Sequence, residues 1–487
     1  MPERSTGETS TAFPHGLRLR LAADVRRFEG GRVLLGGAPV RVMRLSAPAA
    51  GMIEDGALTV TDAATARLAM RLLDAGIAHP DPAELPPIPL AELTVVIPTL
   101  GRPRELSALL EHLGGVQIIV VDDGTPEPAA GELAVAVAAA GARLIRLPQN
   151  RGPASARNAG LAVVETPFVA FLDSDVDASA DQLGLLLRHF ADPQLALAGP
   201  RVRGIAQDQT WISRYEDARS SLDLGADPAL VRPRAPVSWI SSTCLIARVD
   251  ALVSESVSER ASDAIGFGEG MRVAEDVDLV WRLHARGLRA RYEPRVAVGH
   301  RHRSRLREWA ARKLFYGTGA AELAAAHPEA IVPAVLRPWS LGVAAALYAG
   351  RRWSLPVAAG LTVFAWRRLA RRMPGDRGPA HALAARLVLE GLGATWGQLS
   401  ALALRHWWPL GVLAALLSRR ARILIGVMAV ADGIIEHRRL AADQPFLPFL
   451  IARRIDDLAY GAGVWWGALR RRSIRALLPE VMPRRRR

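Results

Sequence analysis

The sequence predicts an α/β protein: a mostly parallel central sheet, with a small α+β module before it and a helical region after it. Three observations carry this. Four apolar runs, LTVVIP, VQIIVVDD, ARLIRLP and TPFVAFLD, alternate with helix-like stretches such as RELSALLEHL, the order expected of right-handed βαβ units. A Pro-rich run, DPAELPPIPLAE, separates that alternation from what precedes it. Beyond about residue 300 the chain becomes rich in Ala, Leu, Trp and Arg.

Residues 1–85 form the module. Leu17, Leu19 and Leu21 alternate with Arg18 and Arg20, and RVLLGGAPVRVMRL reads as two strands around Gly36-Gly37. TDAATARLAMRLLDAG reads as a helix with Thr61 as N-cap and Gly76 as stop. The hairpin edge and basic face suit a peptide docking as an extra strand. Residues 86–300 carry the sheet, whose ligands belong at the carboxyl ends of its strands. Pro98, Asp122, Asp123, Asp173 and Asp175 fall there.

Residues 301–487 hold apolar stretches such as SLGVAAALYAG, SLPVAAGLTVFAW, WWPLGVLAALL and ILIGVMAVADGII. Each is shorter than the roughly 20 residues a spanning helix needs. Arg351 and Arg352 separate the first two, and Arg367 and Arg368 closely follow the second. Core helices are one reading. The other is interfacial or re-entrant helices gripping a membrane, with Trp and Arg at headgroup level. The terminal RRRR reads as a solvated tail that can touch anionic lipid.

The 487 residues carry a net charge of +14, which favours acidic partners: nucleotides, nucleic acid or anionic lipid. Lys313 is the only lysine. No nucleic-acid-binding motif is present, so nucleic acid is not expected. Cys244 is the sole cysteine, which excludes an intramolecular disulfide and a multi-cysteine zinc site. The opening MPERSTGETSTAFPHG is polar and lacks a secretory apolar core. The expected location is the cytoplasmic face of the cell membrane, peripheral or integral.

The chemistry concentrates in carboxylates. VAFLDSDVD begins as a buried strand and ends with acids at Asp173, Asp175 and Asp177. In an extended chain residues two apart share a side, so these acids converge. A divalent cation with a diphosphate accounts for such crowding, since Mg²⁺ uses one or two carboxylates plus phosphate oxygens. VVDDG places Asp122 and Asp123 at another strand end, where acids accept hydrogen bonds from a ribose or base. NRGPASARNAG opens a helix whose N-terminus, with Arg157 and Asn158, suits an anionic ligand. Glu275 and Asp276 open another helix, where a carboxylate can serve as general base.

In this order, VVIPTLGRP, VVDDG, NRGPASARN, FLDSD and AEDVDL resemble the family 2 glycosyltransferases. The resemblance covers residues near 93–300 and implies a GT-A fold, a Rossmann-like sheet, with inverting transfer from a UDP-sugar such as UDP-glucose. It implies that Pro98, Thr99, Arg102, Asp122, Asp123, Asn150, Arg157, Asn158 and Asp173 bind the nucleotide sugar. It places Asp173, Asp175 and His300 on a divalent metal ion, Mg²⁺ or Mn²⁺, and makes Asp276 the catalytic base with Glu275 beside it. The three-part chain is also similar to transferases that glucosylate a peptide-derived redox cofactor precursor, which makes such a precursor the expected acceptor. A lipid-linked or polysaccharide acceptor is the alternative. Two departures stand out. Gly268 occupies a place where many relatives carry an acid, and RLREW at 305–309 only echoes the Q-x-x-R-W motif of processive synthases.

Overall fold

The computed structural model of the chain describes residues 13–205, 208–252, 266–373 and 377–482. Most of the polar N-terminal stretch and the terminal arginines lie outside the described residues. The chain forms two compact units: residues 1–207 with 220–302, and residues 208–219 with 303–487.

The first unit opens with six short strands. β1 (Arg18–Leu21) lies between β5 (Ala57–Thr59) and β6 (Ala78–Pro80), while β2 (Arg26–Phe28), β3 (Val33–Gly36) and β4 (Arg41–Arg44) form an antiparallel meander. Two helices accompany them, α1 (Ala47–Gly51) and α2 (Ala63–Asp74). Leu19, Leu34, Leu58, Leu72 and Ile77 fill their shared core. The N-cap of α2 is Asp62 rather than the expected Thr61. Asp62 accepts the N–H groups of Ala64 and Thr65, and Thr65 Oγ1 accepts the Asp62 N–H in return. An aspartate that closes such a reciprocal box outcompetes the threonine before it.

The large sheet follows. β7 (Leu93–Thr99), β8 (Gln117–Asp122), β9 (Arg143–Arg146) and β10 (Phe168–Leu172) pair in parallel in the order β10-β7-β8-β9. They are connected through α3 (Pro103–Glu111), α4 (Ala129–Ala139) and α5 (Pro153–Leu161). Every residue of β7 is buried, as a strand covered on both faces requires. The rest of the sheet is mixed. β14 (Cys244–Arg248) runs antiparallel to β10 and to β12 (Leu195–Ile205), and β15 (Arg289–Arg301) runs parallel to β12. β13 (Ala229–Val231) borders β15. Helices α6 (Ala180–Leu187), α8 (Val249–Leu252) and α9 (Glu275–Ala285) complete this unit.

The stretch LDSDVD differs from the expected continuous strand. β10 stops at Leu172, Asp173–Asp175 turn, and β11 (Val176–Asp177) pairs with His300 and Gly299 of β15. The turn is closed by the Val176 N–H on the Asp173 carbonyl. The three acids therefore do not share a side. Asp177 is exposed on its own short strand, and the turn itself brings β15 and His300 to Asp175.

The second unit is helical: α7 (Trp211–Ala218), α10 (Leu306–Ala326), α11 (Pro338–Ala349), α12 (Ser354–Ala370), α13 (Arg377–Ala401), α14 (Trp408–Leu417), α15 (Arg419–Arg439) and α16 (Phe446–Arg471). α10 and α16 meet backbone to backbone, where a Cβ on Gly317 would stand 2.1 Å from the Tyr460 carbonyl oxygen. Around α7, Trp309 and Lys313 both reach Glu216, at 2.8 and 2.7 Å, and the Tyr215 hydroxyl donates to Asp456 at 3.0 Å. The one lysine is thus a buried ion-pair partner. Ala380–His406 is long and apolar enough to cross a membrane.

Candidate active site

The carboxyl ends of β7, β8 and β10 converge, as a doubly wound sheet dictates. After β7, the Gly101 N–H donates to Thr125 at 2.9 Å, and Arg102 ion-pairs with Asp175. Pro98 and Thr99, the expected nucleotide contacts, are buried. After β8, Asp122 is fully buried and both its oxygens are engaged, by the Thr125 N–H at 2.9 Å and Arg146 Nε at 3.0 Å. Its carboxylate shapes the loop instead of facing a ligand. Asp123 accepts the N–H groups of Arg151 and Gly152, each at 2.8 Å, which ties the β8 loop to the loop before α5. Asn150 accepts the Gly152 N–H at 3.1 Å within that loop. Gly124 has φ +81°, and a Cβ there would lie 2.7 Å from the Asn150 nitrogen, so only glycine lets the two loops close.

Arg157 is the pivot. It is 2% exposed and donates to Asp173 at 2.7 Å and to Glu275 at 2.9 Å, while its guanidinium lies 5.2 Å from the Phe267 ring centroid. Burial opposes its charge, yet Asp173 and Glu275 more than offset that and hold its pKa above the ordinary value. Arg157 therefore clamps the end of β10 to the start of α9 and does not face an open ligand. Glu275 is its counter-ion, through one carboxylate oxygen. Asn158 is turned the same way, bonding both the N–H and the carbonyl of Phe267.

Asp276 differs from Glu275 beside it. Its oxygens accept the N–H groups of Ser242 at 3.2 Å and Val277 at 2.8 Å. Burial, followed by the neighbouring Glu275, pushes its carboxyl up to about 7. A carboxylate poised near neutrality is matched to taking and giving a proton. The preceding Ala274 has φ +68°, a conformation unfavourable for alanine that fixes how α9 starts.

For a divalent ion, Asp175 and His300 offer neighbouring donors, with His300 Nε2 3.7 Å from the Asp175 carboxylate. Among the described residues no three His, Cys, Asp or Glu side chains gather as a preformed cage. Asp173, expected as a ligand, pairs one carboxylate oxygen with Arg157. One donor on the turn and one on β15 still fit a hard cation that completes its shell with diphosphate oxygens. The sequence reading missed Arg146, Ser242 and Phe267, which act through a buried ion pair, a main-chain N–H and a ring face and carry no motif. It also missed Glu269, one residue beyond Gly268, which reaches Arg151 and Asn158 at 3.3 Å.

A sheet with acid-lined strand ends and a near-neutral carboxylate opening a helix is the frame of a nucleotide-sugar-dependent transferase. The Glycosyl transferase family 2 profile matches residues 94–251. The chain belongs to the family 2 glycosyltransferases and has their GT-A fold. It is 42% identical over 486 residues to the pre-mycofactocin glycosyltransferase of Mycobacterium tuberculosis strain H37Rv, covering 97% of this chain and 99% of that one. The succinoglycan biosynthesis protein ExoO of Rhizobium meliloti is 28% identical over 192 residues, 39% of this chain and 53% of that one. Among solved structures, a mannosyltransferase from Pyrobaculum calidifontis in complex with GDP-Man and Mn²⁺ aligns at 17% identity with a TM-score of 0.38, covering 78% of this chain and 89% of that one.

Proposed function

We propose that this enzyme transfers glucose from UDP-glucose, with inversion, to a hydroxyl of a peptide-derived redox cofactor precursor of the mycofactocin type, and that it extends the product into a short oligosaccharide. The observation that carries the reading is Asp276: a carboxylate at the start of α9, held by the Ser242 and Val277 N–H groups, raised to about 7, and beside the Arg157 guanidinium that also holds Asp173. The acceptor class is supported by 42% identity to a pre-mycofactocin glycosyltransferase over almost the whole chain, including the module and the helical unit. The match to the succinoglycan biosynthesis protein spans 39% of this chain.

In the reaction, Asp276 accepts the proton of the acceptor hydroxyl as that oxygen attacks the anomeric carbon from the face opposite UDP. Arg157 keeps Asp173 and the start of α9 at fixed separation while this happens. Asp175 with His300 would hold a divalent cation, which when bound offsets charge on the departing diphosphate. Arg102, paired with Asp175 here, lies where it can turn to the same diphosphate.

The test is UDP release across a panel of nucleotide sugars with Mg²⁺, with Mn²⁺ and with chelator. Metal-dependent turnover of UDP-glucose is expected. Asp175→Ala is expected to weaken metal-dependent UDP binding in calorimetry by at least about tenfold, the loss of one charged ligand. Unchanged affinity removes Asp175 from the diphosphate site.

A further inference from the structure

Helix α14 is apolar throughout, WPLGVLAALL, and not one of its residues is buried. Leu416 and Leu417 at its end are 72% and 80% exposed. On α12, Leu355 is 72% exposed, with Val357, Val363 and Phe364 also open, and α15 adds exposed Ile423, Val427 and Ile435. A protein surface facing only water rarely shows so much apolar area together.

The charges that flank α12 and α14 in the sequence have one sign. From residue 330 to 375, and again from 391 to 431, the sequence contains no Asp or Glu. Arg351 and Arg352 precede α12, Arg367 and Arg368 lie in its last turn, and Arg419, Arg420 and Arg422 follow α14; all are exposed. The apolar faces of α12 and α14, flanked by arginine, match a bilayer with anionic headgroups, not a second copy that would bring like charge against like.

Length decides how such helices lie. α11 has 12 residues and α14 has 10, about 18 and 15 Å at 1.5 Å per residue. The hydrocarbon core is about 30 Å thick. Standing upright, either helix would strand the arginine pair that follows it near the bilayer centre, where charge is strongly disfavoured. Lying flat keeps both pairs among the phosphates. Among the described residues the one helix both long and apolar enough to cross, Ala380–His406, carries the exposed ion pair Arg386–Glu390, which also argues against crossing.

We propose that the helical unit is a monotopic anchor: α12 and α14 lie flat in one leaflet of an anionic bilayer, their flanking arginines on headgroup phosphates, and no helix crosses. The inference rests on this unit alone and does not depend on the transferase reading.

Full-length protein added to preformed vesicles of phosphatidylcholine and phosphatidylglycerol tests it. The protein should float with the vesicles. Leu416→Glu with Leu417→Glu should lower the bound fraction about tenfold or more, and pure phosphatidylcholine should bind less. Cys244 is buried, so Arg420→Cys supplies the reactive thiol. A membrane-impermeant maleimide added outside should label it in the bound protein, because the flat helix leaves that position on the side of addition. Protection until the vesicles are lysed would mean a crossing helix and would overturn the proposal. So would protein that stays off the vesicles, or that covers the apolar face by self-association in sedimentation.

Discussion

Asp276 and Glu275 are adjacent carboxylates with different partners, and those partners assign their roles. Glu275 faces the Arg157 guanidinium and stays a counter-ion; Asp276 has main-chain N–H donors and a raised pKa. A base must be unprotonated to act, so kcat/KM should rise with pH on a limb centred near 7, the value of the free enzyme. Asp276→Asn should lose at least about 100-fold in kcat, the usual general-base contribution, while UDP binding is retained. Stability runs the other way. The folded pKa lies above the model-compound value of 3.8, so the contribution of this group is fully present below that value and is lost as pH rises through about 7. The asparagine variant should therefore gain in Tm relative to the parent at pH 8 and converge with it near pH 4. Turnover within a few-fold of the parent would take the base role from Asp276. The positions of the acids were legible in the sequence because strand ends and helix starts announce themselves. Their partners were not. Arg157 meets Glu275 across 118 positions, and nothing local marks that pairing.

At the scale of elements, apolar periodicity located the strands and helices, and the misreadings came where short polar residues compete. Asp62 displaced Thr61 as a cap because its carboxylate takes two N–H groups at once. The D-x-D stretch turned because β15 offers β11 a partner, a long-range pairing invisible in a nine-residue window. Residues 208–219 fold with the helical unit although they interrupt the sheet domain in sequence, since α7 buries Tyr215 and Ile212 among Trp309, Phe449 and Ala452. The crossing of α10 and α16 is a backbone-to-backbone contact. A Cβ on Gly463 would lie 1.9 Å from the Leu314 carbonyl oxygen, and Gly317 stands opposite. Backbone cannot yield as a side chain can, so Gly463→Ala should cost at least about 2 kcal/mol, the overpacking range. Gly393→Ala in α13, with open space around it, is the control and should be neutral or slightly stabilising. Equal melting of the two variants by circular dichroism would show that α10 and α16 are not held this closely.

Across the whole first unit, the Pro-rich run suggested a linker and a separable module, yet charged side chains stitch the module to the sheet. Arg289 reaches Asp74 at 2.8 Å, Arg295 donates to the Pro80 carbonyl at 2.6 Å, and Arg291, almost fully buried, lies 3.3 Å from His79 Nδ1. A chain beginning at residue 86 would leave these arginines beside an uncovered strand, so point substitutions are the cleaner probe of the module. His79 is the most informative. Burial, reinforced by Arg291, drives its pKa from 6.5 down to about 3, so it is neutral in the fold. A depressed folded pKa gives stability that is complete above pH 6.5 and is lost as pH falls toward 3. His189, buried against Glu293, is shifted in the same direction. For Glu293, hydrogen bonds from His189 and Arg295 outweigh burial and hold it at about 2, so its own loss begins only below its ordinary 4.5. In the window from 6.5 to 4.5 the depressed histidines, His406 among them, lose stability as pH falls while Asp276 gains it. Only the difference between parent and variant therefore isolates His79, worth up to about 2.7 kcal/mol at 1.36 kcal/mol per pH unit over two units. Thermal melts from pH 7 to 4.5 should show the stability of His79→Leu rising relative to that of the parent as pH falls. Parallel curves for the two proteins would mean that His79 titrates freely and that the module is not locked to the sheet through Arg291.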